Sequence, residues 1–209
     1  WKLGAHLLYC GDTSDPAFVE RAKGAAFAFA DPPYNAGVDE WDKNFIWQHD
    51  WLAAACPIVA VTPGIVSIQD FMRTTAMPYR WSVACWVDNG MTRGAVGFGN
   101  WIYVALFATG SLHRNAQDFV RASVNVQGDE GTRFQGFKGR KPVELITWLI
   151  ETFTERGQTV VDPFLGSGTT LFAAERLGRT CIAGEIDAAR CGMVIEEWQD
   201  VTGLKAEVA

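Results

Sequence analysis

The stretch Val160-Val161-Asp162-Pro163-Phe164-Leu165-Gly166-Ser167-Gly168-Thr169-Thr170 narrows the choice of fold more than any other. A β-branched apolar pair leads into an acid and a glycine-rich turn, and helical spacing follows from Thr169 to Leu177. Strand, tight turn and helix in succession are the unit of an α/β sheet. Glycines at 166 and 168 let the backbone approach a ligand closely. Ser167 or Thr169 is placed to cap the helix, whose N-terminus favours an anionic group. A nucleotide-type ligand is therefore expected. No lysine follows the second glycine, so this is not a Walker loop. Leu171 stands where a third glycine would complete a dinucleotide fingerprint. A later strand ends at Glu185, whose carboxylate suits ribose hydroxyls.

A second strand ends differently. The apolar run Ala25 to Ala30 stops on Asp31-Pro32-Pro33-Tyr34. A residue before proline is held extended, and proline fixes its own φ and lacks an N–H. The strand end is thus rigid and offers the Asp31 carboxylate, the Pro32 carbonyl and the Tyr34 ring. Two acceptors beside an aromatic platform suit a planar base with an exocyclic amine.

Around these two stretches, strand and helix signals alternate. Strands are expected at His6–Cys10, Ala25–Ala30, Pro57–Val61, Arg80–Val87, Trp101–Ala108, Gln158–Val161 and Thr180–Gly184. Helices are expected at Asp15–Lys23, Phe45–Ala55, Val66–Thr75, Val143–Arg156, Thr169–Leu177 and Ala188–Val201. The pattern predicts an α/β fold with a single doubly wound, mostly parallel sheet covered on both faces. In such sheets ligands bind at the carboxyl ends of the strands, which brings Asp31 and the Gly166–Gly168 turn together.

At 209 residues the chain suits one domain, 1–209. Cys10, Cys56, Cys85, Cys181 and Cys191 are scattered, and no Cys/His cluster suggests zinc, so no metal is expected. Pro57, Thr62, Pro63 and Gly64 interrupt the longest apolar run, against a membrane span. No signal peptide is read, and a reducing cytoplasm, bacterial or phage-encoded, is expected. Trp1 in place of methionine leaves room for a segment upstream.

The two motifs together resemble the amino-methyltransferases of DNA that use S-adenosylmethionine. Asp31-Pro32-Pro33-Tyr34 comes first and Asp162-Pro163-Phe164-Leu165-Gly166-Ser167-Gly168 late, which resembles the family's β group. Leu8-Tyr9-Cys10-Gly11-Asp12, Lys141-Pro142-Val143-Glu144-Leu145 and Ala183-Gly184-Glu185-Ile186-Asp187 resemble three more of its motifs. Trp1 to Leu8 resembles the catalytic-domain start in fusions with a ParB-like domain. The resemblance implies a circularly permuted, Rossmann-like methyltransferase fold and a catalytic set of Asp31, Pro32, Pro33 and Tyr34. It implies a cofactor pocket in which Asp12 contacts the adenine, Glu185 the ribose and Lys141 the methionine end. Asp31, Phe164, Gly166, Ser167, Gly168 and Thr169 complete that pocket, and a bulky residue at 168 is expected to block the methionine end. Phe137-Lys138-Gly139-Arg140 departs from the His-Pro-Thr-Gln often found before the Lys-Pro pair.

The implied activity is methyl transfer to the N6 amine of adenine in DNA, with the base turned out of the duplex. Asp31 and Pro32 would accept both amine hydrogens and Tyr34 would stack on the ring. RNA adenine and cytosine N4 are the alternative targets, and an inactive cofactor- or DNA-binding module the alternative class. Net charge is −6, but residues 88–141 hold seven Lys/Arg against four Asp/Glu, or +3, leaving −9 elsewhere. Target recognition falls to glycine-rich loops within 88–140, with Asn35, Arg93, Arg114, Arg133 and Lys138 as candidate nucleic-acid contacts. Recognition is expected to be short or relaxed, with a homodimer or a missing N-terminal domain supplying more.

Overall fold

The computed structural model describes residues 1–37, 42–90, 92–112, 114–123 and 139–209, excluding the side chains of 92–94. The chain opens with β1 (Lys2–Leu3), β2 (His6–Cys10) and α1 (Pro16–Ala22). The Asp15 carboxylate caps α1 by accepting from the Ala17 N–H at 2.8 Å, with Pro16 in the first turn. β3 (Phe27–Ala30), α2 (Leu52–Ala55), β4 (Ile58–Val61) and α3 (Ile68–Thr74) follow. Next come β5 (Tyr79–Val87), a hairpin of β6 (Thr92–Gly94) and β7 (Gly97–Gly99), β8 (Trp101–Ala108) and β9 (Phe119–Ala122). The last third holds α4 (Val143–Phe153), β10 (Thr159–Asp162), α5 (Thr169–Leu177), β11 (Thr180–Glu185) and α6 (Ala188–Thr202).

Nine strands form one sheet in the order β1-β2-β11-β10-β3-β4-β8-β5-β9. From β2 to β4 the strands are parallel; β8 runs antiparallel to both β4 and β5. β10, late in the chain, lies beside β3, with Val160 opposite Phe27 and Val161 opposite Ala28. Phe27 and Phe29 join the core under α4, α5 and α6, while Ala28 and Ala30 join the core under α1, α2 and α3. Every residue of β3 is therefore buried, which explains its unbroken apolar sequence. Phe27 stacks on Phe153 at 5.5 Å between ring centroids. Truncating such a ring to alanine costs about 3–5 kcal/mol.

His6 pins this frame internally. Its Nδ1 accepts the Cys181 N–H at 2.9 Å, so Nε2 carries the hydrogen and donates to Glu175 Oε2 at 2.9 Å. The same carboxylate oxygen accepts from Trp198 Nε1 at 3.0 Å, joining β2, β11, α5 and α6. No helix among the described residues is long and apolar enough to cross a membrane.

The expected helix over Phe45–Ala55 is reduced to Leu52–Ala55. Phe45, Trp47 and His49 take strand-like alternation instead, and all three rings pack on Phe164, with centroids 5.6, 6.3 and 4.6 Å away. Asp50 ties the segment down by accepting from Trp47 Nε1, Thr75 Oγ1 and the Ala76 N–H. The regions read as loop also contain structure: the β6–β7 hairpin, and β9 paired in parallel with the edge of β5. These strands are too short to carry a periodic signal.

Candidate active site

β10 and β3 are neighbours whose chains leave in opposite directions, β10 toward β11 and β3 toward β4. A crevice opens where adjacent parallel strands diverge in this way. Both stretches singled out in the sequence border it, one after each strand.

Asp31 follows β3 directly and three donors surround its carboxylate. Tyr34 Oη and Thr62 Oγ1 each donate to Oδ1 at 2.6 Å, and Lys141 Nζ donates to Oδ2 at 2.5 Å. Tyr34 lies with its ring on Gly64, where a Cβ would fall 2.6 Å from Cγ of the ring. Lys141 Nζ lies 5.2 Å from the centroid of the same ring. Burial and the adjacent Asp31 charge raise the Tyr34 pKa, keeping the phenol a donor. Among the described residues no donor reaches the Pro32 carbonyl.

The turn after Tyr34 is held by a residue the sequence reading did not single out. Asp42, 1% exposed, accepts the Tyr34 N–H at 2.5 Å and the Ala36 N–H at 2.9 Å. Asn35 takes a positive φ of 55°, which asparagine tolerates. Both ends of its side-chain amide bind the Phe45 backbone, at 2.8 and 2.7 Å. Asn35 is therefore a loop clamp here.

The glycine turn is built on carboxylates. Asp162, 1% exposed, accepts the Phe164 N–H at 2.9 Å. Burial pushes its pKa up to about 7, aided by the charges of Asp31 and Glu185 and opposed by hydrogen bonds from Thr170 and Phe164. Glu185 ends β11 and accepts from Gly166 N–H on Oε2 at 2.8 Å and from Asp187 N–H on Oε1 at 2.9 Å. Each carboxylate oxygen retains a lone pair for a further donor. Gly166 and Gly168 have φ of 56° and 83°, the left-handed region that favours glycine. Gly168 is itself the N-cap of α5, and no side chain caps that helix. Ser167 and Thr169 instead face each other, 3.2 Å between hydroxyls. A Cβ at Gly168 would meet Phe172 at 2.7 Å and Val194 at 3.2 Å, so it points into the core. At Gly166 the nearest atom would be 3.9 Å away.

On the other side of the turn, Thr13 Oγ1 donates to the Pro163 carbonyl at 3.2 Å and meets His49 Nε2 at 2.8 Å. The single hydroxyl hydrogen is thereby used, so His49 donates from Nε2 and its Nδ1 is bare. That buried Nδ1 has no partner among the described residues. Asp12 accepts from both the N–H and the hydroxyl of Ser14 at 2.8 Å, which lowers its pKa.

The cations divide. Arg114 lines a cavity with Ala26, Pro57 and Gln158, residues that precede β3, β4 and β10. It therefore sits at the opposite edge of the sheet from Asp31. Arg121 pairs with Asp88 at 2.9 Å inside the segment, and Lys141 pairs with Asp31 outside it, which takes one charge from the positive excess of 88–141. The Arg93 side chain, Arg133 and Lys138 lie outside the described residues.

A doubly wound sheet with an acid–proline strand end beside a glycine turn and a buried acid defines an α/β protein with the Rossmann-like methyltransferase fold. The chain belongs to the DNA methylase family, which it matches over residues 86–196. The Type II methyltransferase M.HindIII of Haemophilus influenzae is 50% identical over 46 residues, 22% of this chain and 15% of that protein. M.MjaI of Methanocaldococcus jannaschii is 52% identical over 46 residues, again 22% of this chain and 15% of the relative. The chain therefore matches only about a seventh of the length of these curated relatives. Among solved structures, the M1.HpyAVI–SAM complex superposes with a TM-score of 0.68 at 18% identity, over 91% of this chain and 98% of the other. The cytosine-N4-specific PvuII DNA methyltransferase superposes with a TM-score of 0.66 at 17% identity, over 96% and 95%. These likenesses establish the fold.

Proposed function

We propose that residues 1–209 form the catalytic unit of a DNA methyltransferase that moves the methyl group of S-adenosylmethionine to the exocyclic N6 amine of adenine. One observation carries the reading: two acceptors, the Asp31 carboxylate and the Pro32 carbonyl, end β3 beside the glycine turn that follows β10. The donor set fits the cofactor. Glu185 keeps a lone pair on each oxygen for ribose hydroxyls, Asp12 and Phe164 suit the adenine, and the open side of Gly166 leaves room for the methionine end. The bound cofactor supplies a methyl group on a positively charged sulfur.

The chain's own residues supply orientation and electrostatics. The lone pair of an aromatic amine is delocalised into the ring. Accepting both N–H hydrogens, on Asp31 and on the Pro32 carbonyl, localises that lone pair toward the incoming methyl group. Tyr34 now donates to the oxygen that the amine needs, so base entry exchanges the phenol hydrogen for an amine hydrogen. The freed ring then stacks on the base, worth about 1–3 kcal/mol. The base leaves the duplex to reach Asp31, at a cost of a few kcal/mol.

Asp31, where serine more often accompanies cytosine N4 chemistry, favours adenine. The test is methylation of mixed-sequence DNA followed by mass spectrometry of the nucleosides. N6-methyldeoxyadenosine made by the wild type and lost in Asp31→Ala, with cofactor affinity kept, supports the reading. N4-methylcytosine would move the target to cytosine, and product from Asp31→Ala at near-normal turnover would overturn the mechanism.

A further inference from the structure

We propose that Thr62 is a positioning residue that fixes the plane of the Asp31 carboxylate, with Gly64 in the same turn setting the surface on which Tyr34 moves. The inference rests on Asp31 accepting the target amine.

Thr62 is fully buried, at 0% exposure. A buried hydroxyl is costly without a partner, and valine would fill the same space. The hydroxyl is used: its one hydrogen goes to Asp31 Oδ1 at 2.6 Å. The backbone behind it is firm. β4 pairs with β3 at Val61 opposite Ala30, and the Thr62 N–H continues that ladder to the Ala30 carbonyl at 3.0 Å. Thr62 is thus fastened to the residue before Asp31.

The other two donors to Asp31 cannot do this work. The terminal torsion of an aspartate is broad, so the carboxylate plane needs an external reference. Lys141 offers rotatable hydrogens on a long flexible stem. Tyr34 must leave when the base arrives. With Tyr34 gone, Thr62 still occupies one lone pair of Oδ1 and Lys141 still holds Oδ2. The remaining lone pair of Oδ1 then has one direction, toward the position the phenol vacated. Gly64, with φ of 74°, lets the Tyr34 ring rest against backbone; a Cβ would lie 2.6 to 3.0 Å from three ring carbons. One turn after β4 therefore sets both the acceptor and the platform.

Thr62→Val, Thr62→Ser and Asp31→Ala are compared with the wild type in steady-state methyl transfer to DNA. Thr62→Val is expected to lower kcat about a hundredfold, as for small misplacements of reacting groups. KM for DNA and cofactor affinity should stay within about twofold, because the lost contact acts on the transition state. Thr62→Ser should restore most of kcat. A Thr62→Val enzyme with wild-type kcat, or one impaired in KM alone, would overturn the proposal. A crystal structure of Thr62→Val supplies an arm independent of turnover. The carboxylate is expected to rotate toward Lys141 and release Tyr34 Oη, and an unmoved Asp31 would sink the idea. A wild type that methylates no DNA would remove the methyl-transfer reading, and the crystal structure would still decide the role of Thr62. Should Thr62→Val not fold, Thr62→Ala against Thr62→Ser makes the same comparison of donor lost and donor kept.

Discussion

Lys141 Nζ and Asp31 Oδ2 meet at 2.5 Å across 110 residues of sequence, with side chains only 10% and 21% exposed. Burial alone would discharge the ammonium, but the adjoining Asp31 charge outweighs it and raises the Lys141 pKa. The pair joins the loop before α4 to the end of β3.

Removing one member of such a pair strands the other. Lys141→Met is expected to cost on the order of 3 kcal/mol in urea denaturation, since it leaves a carboxylate unpaired beside a buried ring. Adding Asp31→Ala to Lys141→Met should recover part of that loss, a coupling read from the double-mutant cycle. Strict additivity of the two changes would contradict a direct ion pair.

His49 makes stability depend on mild acid. Burial lowers its pKa from 6.5 to about 4, with Asp12 and Asp50 opposing. Between those values the unfolded chain binds a proton that the folded chain refuses, so acid favours unfolding. The contribution is fully present above 6.5 and lost as pH falls toward 4, on the order of 3 kcal/mol over the window. His49→Phe should remove this part of the slope while keeping the contact with Phe164. Denaturation at pH 7 and pH 4.5 decides; a variant that loses as much stability as the wild type would refute the assignment.

Gly168 and Gly166 should separate folding from binding. Alanine at Gly168 meets left-handed strain of about 1–2 kcal/mol and a clash with Phe172 at 2.7 Å, so melting temperature should fall most there. Alanine at Gly166 meets the strain without the clash. Calorimetry with S-adenosylmethionine is then informative mainly for Gly166→Ala, where lost affinity in a folded protein reports close approach of the ligand. Unchanged affinity there would remove Gly166 from the pocket.

How far the site could be read in advance depends on what each residue contacts. β8 and α5 occupy the spans their apolar spacing predicts, Trp101–Ala108 and Thr169–Leu177. Local pattern decides both, because strands buried on two faces read as apolar runs and α5 presents one apolar stripe. Asp31 and Glu185 were visible as acids closing apolar strands. Thr62, Gly64 and Asp42 were not, because each earns its role from a partner on another element: Asp31, the Tyr34 ring and the Tyr34 N–H. The segment at Phe45 misled for the same reason. Its alternation serves Phe164, more than a hundred positions away, and overrides local helix spacing.

Recognition of DNA by this chain alone should be shallow. Base reading by bidentate contacts needs side chains held in fixed geometry. In 88–140 the described structure offers a hairpin of three-residue strands, β8 within the main sheet, and β9 at its edge. Of the cations there, Arg121 is paired with Asp88 and Arg114 lies at the far edge of the sheet. Arg140 has a partner within the chain, and Arg93, Arg133 and Lys138 remain as candidates for phosphate. With about three phosphates neutralised, the logarithm of affinity should fall with the logarithm of salt at a slope of about −3. Fluorescence anisotropy on duplex DNA over a salt series measures it, and a slope of about −6 or steeper would mean that a larger basic surface engages the DNA. Sequencing of methylated bases on genomic DNA tests specificity. A short or relaxed site is expected, with tighter reading supplied by a second subunit or another domain, because phosphate contacts position the protein without specifying sequence. A single motif of about six or more fixed bases from the isolated chain would show that these short elements read base edges after all.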